Sequence, residues 1–249
     1  MDIELKRDGL YLRGRVEKGD EEKRMPAVII FHGFAGNLGY EENDLYHRIA
    51  RQIIANEMIS VRFDFDGHGN SDGEFSDMDV LRELLDAITI LKYVMERKDV
   101  SEVYILGHSQ GGVIGTLLSG LYPDVIKKLI LLAPAFTLKT DALLGTCMGT
   151  KYDTDHIPDS VLVDQRHNVG GHYFRIAKNL PIEELASKYT GETLIIHGRK
   201  DTYVDYHISE KYCKLMQKGK LILYDLLDHG IEGENQQEAL DAIQHFLKR

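Results

Sequence analysis

The sequence predicts an α/β fold built on a mostly parallel, doubly wound sheet with helices on both faces. Two observations predict it. Short continuous apolar runs recur along the chain and stop at glycine or proline, as strands buried on both faces do. Between them lie segments whose apolar residues recur at helical spacing, and strand–helix–strand alternation makes successive strands parallel.

The elements follow in order. Asp8-Gly9 is a turn signal between alternating runs at 3–5 and 10–16, which predicts a hairpin. The charged stretch 18–24 reads as a solvated loop. The first buried run, Ala27-Val28-Ile29-Ile30-Phe31, enters a glycine loop. Ile59-Ser60-Val61-Arg62-Phe63 precedes Asp66-Gly67-His68-Gly69, and Val103-Tyr104-Ile105-Leu106 leads into Gly107. Leu129-Ile130-Leu131-Leu132 stops at Pro134, Thr193-Leu194-Ile195-Ile196 stops at Gly198, and Leu221-Ile222-Leu223-Tyr224 is the last run. Leu81, Leu84, Leu85, Ile88, Leu91 and Met95 are spaced for one helical face. Ile243, Phe246 and Leu247 mark a short C-terminal helix.

Residues 136–187 break the rhythm. They contain no strongly buried strand, carry Gly145, Gly149, Gly170 and Gly171, and hold a short helix at 173–180 stopped by Pro181. An unstructured stretch of this length is unusual inside a compact domain. The segment reads as a lid inserted over the active site, dividing the chain into a core (1–135 and 188–249) and the insert. A surface excursion with no contact to the site is the other reading.

Composition narrows the function classes. Of 249 residues, 43% are apolar and 28% charged, as in soluble globular proteins. A net charge of −10 repels phosphate backbones, so no nucleic-acid partner is expected. There is no basic run to meet an anionic membrane, and no apolar run approaches the ~18 residues of a span. Charges at Asp2, Glu4 and Lys6 stand where a signal peptide needs an apolar stretch, so the cytoplasm is the expected location. The two cysteines, Cys147 and Cys213, form no Cys-x-x-Cys pair, so neither a zinc site nor a disulfide framework is expected.

Gly107-His108-Ser109-Gln110-Gly111 is a Gly-x-Ser-x-Gly motif. It follows a buried run and precedes Val113, Ile114, Leu117 and Leu118, which fit a helix. Strand, tight turn and helix in that order form the nucleophile elbow of the α/β-hydrolase fold. Ser109 is the candidate nucleophile. The alternative is a glycine-rich turn whose serine caps the helix.

Acyl transfer develops an oxyanion that needs preorganised donors. One is the backbone N–H after the nucleophile, Gln110. The other comes from the loop after an earlier strand, here His32-Gly33-Phe34-Ala35-Gly36, with Phe34 N–H as the candidate. The fold orders its triad as serine, acid, histidine. Of eleven histidines, His229 follows the last strand and is flanked by Asp228 and Gly230, whereas His245 lies in the C-terminal helix. Asp201, in the turn past the preceding strand, is the candidate acid. Asp205 reads as the cap of the next helix. His68 and His108 read as packing and shaping residues. Asp153, Asp155, His156, His167 and His172 match no metal-ligand spacing. No metal or other cofactor is expected.

His32-Gly33-Phe34, Asp64-x-Asp66-Gly67-His68-Gly69-x-Ser71, the serine motif and His197-Gly198-x-x-Asp201 together resemble α/β-hydrolase esterases and lipases. More narrowly, the chain is similar to the bacterial cinnamoyl (feruloyl) esterases of gut and rumen organisms. Leu138 to Leu143, Asp155 to Asp159 and Gly170 to Ala177 carry that narrower resemblance. It implies a lid whose aspartate and tyrosine grip the phenolic ring of a hydroxycinnamate acyl group, at Asp141 and Tyr173. A lid glutamine of some members falls at Met148 here. The resemblance also implies a homodimer. Such a site is mostly apolar with a few placed polar groups, and Leu143, Leu144 and Met148 are expected to cover the ring. Asp141 also reads as a helix cap. The resulting expectation is a serine esterase acting on hydroxycinnamoyl (feruloyl or caffeoyl) esters. A broad carboxylesterase or monoacylglycerol lipase-like hydrolase, and a non-catalytic ligand-binding protein of the same fold, stay open beside it.

Overall fold

The computed structural model describes residues 1–19 and 22–248. Its elements are β1 (Asp2–Arg7), β2 (Leu10–Glu17), β3 (Met25–Phe31), α1 (Leu45–Ala55), β4 (Ile59–Phe63), α2 (Val80–Glu96), β5 (Val100–His108), α3 (Gln110–Leu121) and β6 (Ile126–Leu132). Then come α4 (Leu138–Leu144), β7 (Thr146–Cys147), β8 (Thr150–Lys151), β9 (Ser160–Val163), β10 (His167–Gly170), α5 (Gly171–Ala177) and α6 (Ile182–Lys188). The chain continues through β11 (Glu192–Gly198), α7 (His207–Leu215), β12 (Lys218–Tyr224) and α8 (Gln236–Leu247). Eight strands form one sheet in the order β1-β2-β4-β3-β5-β6-β11-β12. The pairs from β4 to β12 are parallel; the β1–β2 hairpin adds its strands antiparallel at one edge.

Alternation along each central strand feeds two cores. Ala27, Ile29 and Phe31, with Ile105, Leu129, Leu131 and Ile195, pack under α2, α3, α6 and α7. Val28, Ile30, Leu106, Ile130, Leu132, Leu194 and Ile196 pack under α1 and α8 on the other face. The continuous apolar runs are therefore two interleaved half-patterns, one per face. Beyond β3 the chain turns to β4 on one side, while β5 lies on the other. The crevice at such a switch point, past the carboxyl ends of the strands, is where open α/β sheets bind ligands.

α2 departs from its expected face. Leu81, Leu85 and Met95 are exposed, and the buried side is Val80, Glu83, Asp86, Ala87, Ile90, Leu91 and Val94. Asp79 caps the helix, accepting from the N–H groups of Leu81 (2.7 Å) and Arg82 (3.0 Å). The two inward carboxyl groups have partners, which is why they are tolerated there. Asp86 accepts from the Arg7 side chain and from Asp66 N–H at 2.8 Å, and Glu83 accepts from Gln110 Nε2 at 2.8 Å.

Between β6 and β11 the chain leaves the sheet. β7–β8 and β9–β10 form two small antiparallel hairpins, neither of which the sequence announces. The helix expected at 173–180 lies at Gly171–Ala177. α6 packs closely on α3, with Gly120 against the Leu185 backbone, so it belongs with the helices flanking the sheet.

Candidate active site

Ser109 is the single residue between β5 and α3, with φ 52° and ψ −120°. A non-glycine residue there is strained and persists only if its surroundings hold it. Its N–H is bonded to Leu132 O at 2.9 Å. A Cβ at Gly111 would collide with the carbonyls of Phe31 and His32, and one at Gly107 with the carbonyl of Gly111. Both motif glycines are thus demanded by close chain approach.

The loops after β11 and β12 meet Ser109. His229 Nε2 lies 2.9 Å from Ser109 Oγ, and His229 Nδ1 lies 2.7 Å from Asp201 Oδ2. Asp201 Oδ2 also accepts from His197 Nε2 at 2.9 Å, while Oδ1 accepts the N–H groups of Tyr203 (2.8 Å) and Val204 (2.9 Å). Burial alone would raise the Asp201 carboxyl; the bonds from His197 and His229 outweigh it and hold it far below 3.8. His197 Nδ1, left as acceptor, takes the Ser209 hydroxyl at 2.7 Å. Asp205 lies one residue before the α7 cap position and accepts His207 N–H at 3.1 Å, away from His229.

His108 ties two loops together. Its Nε2 donates to His229 O at 2.7 Å and its Nδ1 accepts from Tyr46 Oη at 2.8 Å, while Tyr46 Oη accepts Gly33 N–H at 3.2 Å. Burial pushes His108 down to about 4, so the ring stays neutral and keeps both roles. Sequence reasoning left His197, Tyr46 and this bridging role unassigned. The His197-to-Asp201 spacing was the one signal available.

The candidate oxyanion donors flank the serine. Gln110 opens α3, so its N–H has no acceptor within the helix. Gly33 approaches so closely that a Cβ on it would stand 3.0 Å from Ser109 Cβ, which brings Phe34, next in the loop, to the site.

A cavity of about 300 Å³ opens above these groups. Ser109, His229, Phe34, Gln110, Asp141, Tyr173 and Met148 all line it, with Leu138, Ala142, Cys147, Phe174 and Tyr203. Leu143 and Leu144 do not line it: they are 53% and 73% exposed, contrary to expectation. The reason is where α4 starts. Thr137 holds its cap position, so Leu138, Asp141 and Ala142 share the inward face and the next two leucines turn out. Asp141 is therefore not a cap. Burial raises its carboxyl, and a bond to Thr137 opposes the rise. Tyr173 is buried, and its hydroxyl donates to Gln110 Oε1 at 2.6 Å.

Behind the serine, burial pushes the Glu83 carboxyl up to about 8, against the bond from Gln110, with Asp86, Asp79 and Asp66 adding to the rise. The folded protein thus holds a proton on Glu83 that the unfolded chain releases near 4.5. Stability from this group is complete below 4.5 and declines as pH rises toward 8. In Glu83→Gln the urea midpoint is expected to fall less steeply than wild type between pH 5 and 8. Parallel slopes would refute the assignment.

The remaining motif residues are structural. Asp64 accepts from Leu38 N–H (2.7 Å), Asn70 N–H (2.9 Å) and the Tyr40 hydroxyl, and Asp66 accepts from Arg7 and Arg82. Buried His68 bonds the Asp66 carbonyl at 3.0 Å. His156 pairs with Asp153, His167 with Asp164, and His172 with Asp77 O. Among the described residues, no group of His, Cys, Asp and Glu is placed to hold a metal ion, and no helix is long and apolar enough to cross a membrane.

The family model for serine aminopeptidase, S33 (Hydrolase_4) matches residues 22–154, more than half of the chain. Rat (Rattus norvegicus) monoglyceride lipase is 33% identical over 135 residues, covering 51% of this chain and 40% of that one. Putative esterase/lipase 2 of Mycoplasma genitalium is 28% identical over 129 residues, covering 50% and 45%. The chain spans less than half the length of these curated relatives. Est1E from Butyrivibrio proteoclasticus, solved with ferulic acid bound, superposes with a TM-score of 0.93 at 28% identity, covering 98% of this chain and 97% of that one. Mouse alpha/beta hydrolase domain-containing protein 10, at 18% identity and TM-score 0.79, speaks to the fold alone. The chain belongs to the serine aminopeptidase S33 (Hydrolase_4) family, and its fold is that of the α/β-hydrolases.

Proposed function

We propose that this protein hydrolyses hydroxycinnamoyl esters through an acyl-enzyme. The observation that carries the reading is one cavity shared by Ser109, His229, Asp141 and Tyr173. Ser109 Oγ attacks the ester carbonyl while His229 Nε2 takes its proton and passes it to the leaving alcohol. Phe34 and Gln110 N–H groups receive the oxyanion, and Asp201 keeps His229 in the tautomer with its proton on Nδ1. Water, activated by the same histidine, releases the acid. The insert from α4 through α5 serves as lid. Its Asp141 accepts a hydrogen bond from a phenolic hydroxyl, Tyr173 Oη offers a second acceptor, and Phe34, Leu138, Met148 and Phe174 enclose the ring. The ferulic acid bound to Est1E supports this assignment.

A lipase-like reading is favoured by the likeness to monoglyceride lipase and by the largely apolar cavity wall. Methyl ferulate and methyl butyrate, assayed with Ser109→Ala as blank, separate the two. Methyl ferulate is expected to have the higher kcat/KM. Asp141→Ala is expected to lower kcat/KM at least tenfold more for ferulate than for butyrate, about 1.4 kcal/mol of selective transition-state binding. An equal loss on both esters would remove the ring contact from the mechanism.

A further inference from the structure

We infer that Tyr173 is a positioning residue for the oxyanion hole, acting on both donor residues at once, and that Glu83 is the buried anchor of this arrangement. The inference rests on the reading that Phe34 and Gln110 N–H groups hold the oxyanion.

Tyr173 touches each donor residue differently. Its hydroxyl donates to Gln110 Oε1 at 2.6 Å, and its ring meets the Phe34 ring edge-on with centroids 6.1 Å apart. On the far side, Gln110 Nε2 donates to Glu83 Oε2 at 2.8 Å. Gln110, Glu83 and Tyr173 are each at most 2% exposed. The amide oxygen thus has a donor and the amide nitrogen an acceptor, with the Glu83 proton left to its other oxygen, and both ends are satisfied in this orientation. Gln110 is locked in it, and the backbone N–H aimed at the oxyanion belongs to the same residue. The Phe34 ring is held from two other sides by Phe75, at 5.3 Å, and His167, at 5.8 Å, the latter on β10 of the insert.

The hydroxyl proton of Tyr173 is thus committed to Gln110, and Tyr173 can only accept from a bound ring. Removing the hydroxyl leaves Gln110 Oε1 buried and unpaired. The damage then falls on every ester, including those with no ring for Tyr173 to hold. A role limited to ring binding predicts no such loss.

The test uses p-nitrophenyl acetate, whose acyl group carries no ring, and 1,1,1-trifluoroheptan-2-one, which adds Ser109 Oγ to form an oxyanion. Removing an oxyanion donor costs about 10²–10³ in kcat; misplacing one is expected to cost about tenfold or more. Tyr173→Phe should lower kcat for the acetate by that factor with KM within about twofold, and weaken the trifluoroketone in parallel. Glu83→Ala should do the same, and Glu83→Gln, whose amide oxygen accepts from Gln110, should restore most of the rate. Undiminished kcat and ketone affinity in Tyr173→Phe, with loss confined to methyl ferulate, would overturn the inference. So would a rise in KM alone. The near-isosteric phenylalanine variant carries the test if Glu83→Ala does not fold. Turnover retained by Ser109→Ala would instead remove the underlying mechanism, which keeps the two failures distinct.

Discussion

Replacing Ser109 by alanine is expected to lower kcat by on the order of 10⁶ without disturbing the fold. The size follows from the groups acting as a unit. His229 Nε2, 2.9 Å from Oγ, loses the nucleophile whose proton it would take. On the proposed mechanism, the oxyanion donors and the cavity remain; such remnants supply about 10³–10⁴ over water. The fold should be spared because the strained backbone at position 109 is held by its N–H bond to Leu132 and by the close approaches at Gly107 and Gly111, none of which involves the hydroxyl. Steady-state turnover of methyl ferulate and labelling with a fluorophosphonate check the result together. Labelling lost with turnover is expected; turnover that survives unlabelled protein would move the nucleophile elsewhere.

Asp201→Asn is expected to cost about 10⁴ in kcat. Oδ2 accepts from His229 Nδ1 and from His197 Nε2, and Oδ1 accepts two backbone N–H groups, so every neighbour is a donor. An asparagine must point its amide protons at one pair of them. With the amide facing the histidines, His229 must turn its unprotonated nitrogen to it, which places a proton on Nε2, where the base should be. Stability changes with a definite sign. The folded value of Asp201 lies below 3.8, so its contribution is full above 3.8 and disappears as pH falls toward the folded value. The urea midpoint gap between wild type and Asp201→Asn should therefore be widest near neutrality and close on acidification below about 3.8. A gap independent of pH would mean that the carboxylate charge plays no part.

Much of this was legible in the residues because its causes are local. A strand buried on both faces must be apolar throughout, and a one-residue elbow must be flanked by glycine, so β3 to β6, β11, β12 and Ser109 announce themselves. His229 and Asp201 follow from chain order once the elbow is found. Pairing in space left no such trace. α2 buries Glu83 and Asp86 because Gln110, Arg7 and Asp66 meet them there, and a search for apolar stripes passes over carboxylates by construction. The outward turn of Leu143 and Leu144 depended on which residue opens α4. β7 and β8, two residues each, are too short to show a period. The joining of Tyr173 to Gln110 spans 63 positions and has no sequence signature.

That last contact bears on how the segment between β6 and α6 can be exchanged. Its attachment to the body includes a hydroxyl proton delivered to Gln110, next to Ser109, not apolar packing alone. A donor segment from a relative, grafted for a new substrate range, brings its own side chain to the place of Tyr173. If that side chain has no proton to give, the graft inherits a buried amide oxygen with nothing to bond, however well its surface fits. Position 110, and behind it position 83, therefore travel with the graft: the portable unit is discontinuous in the chain, and a recombination boundary drawn at the ends of the segment cuts through it.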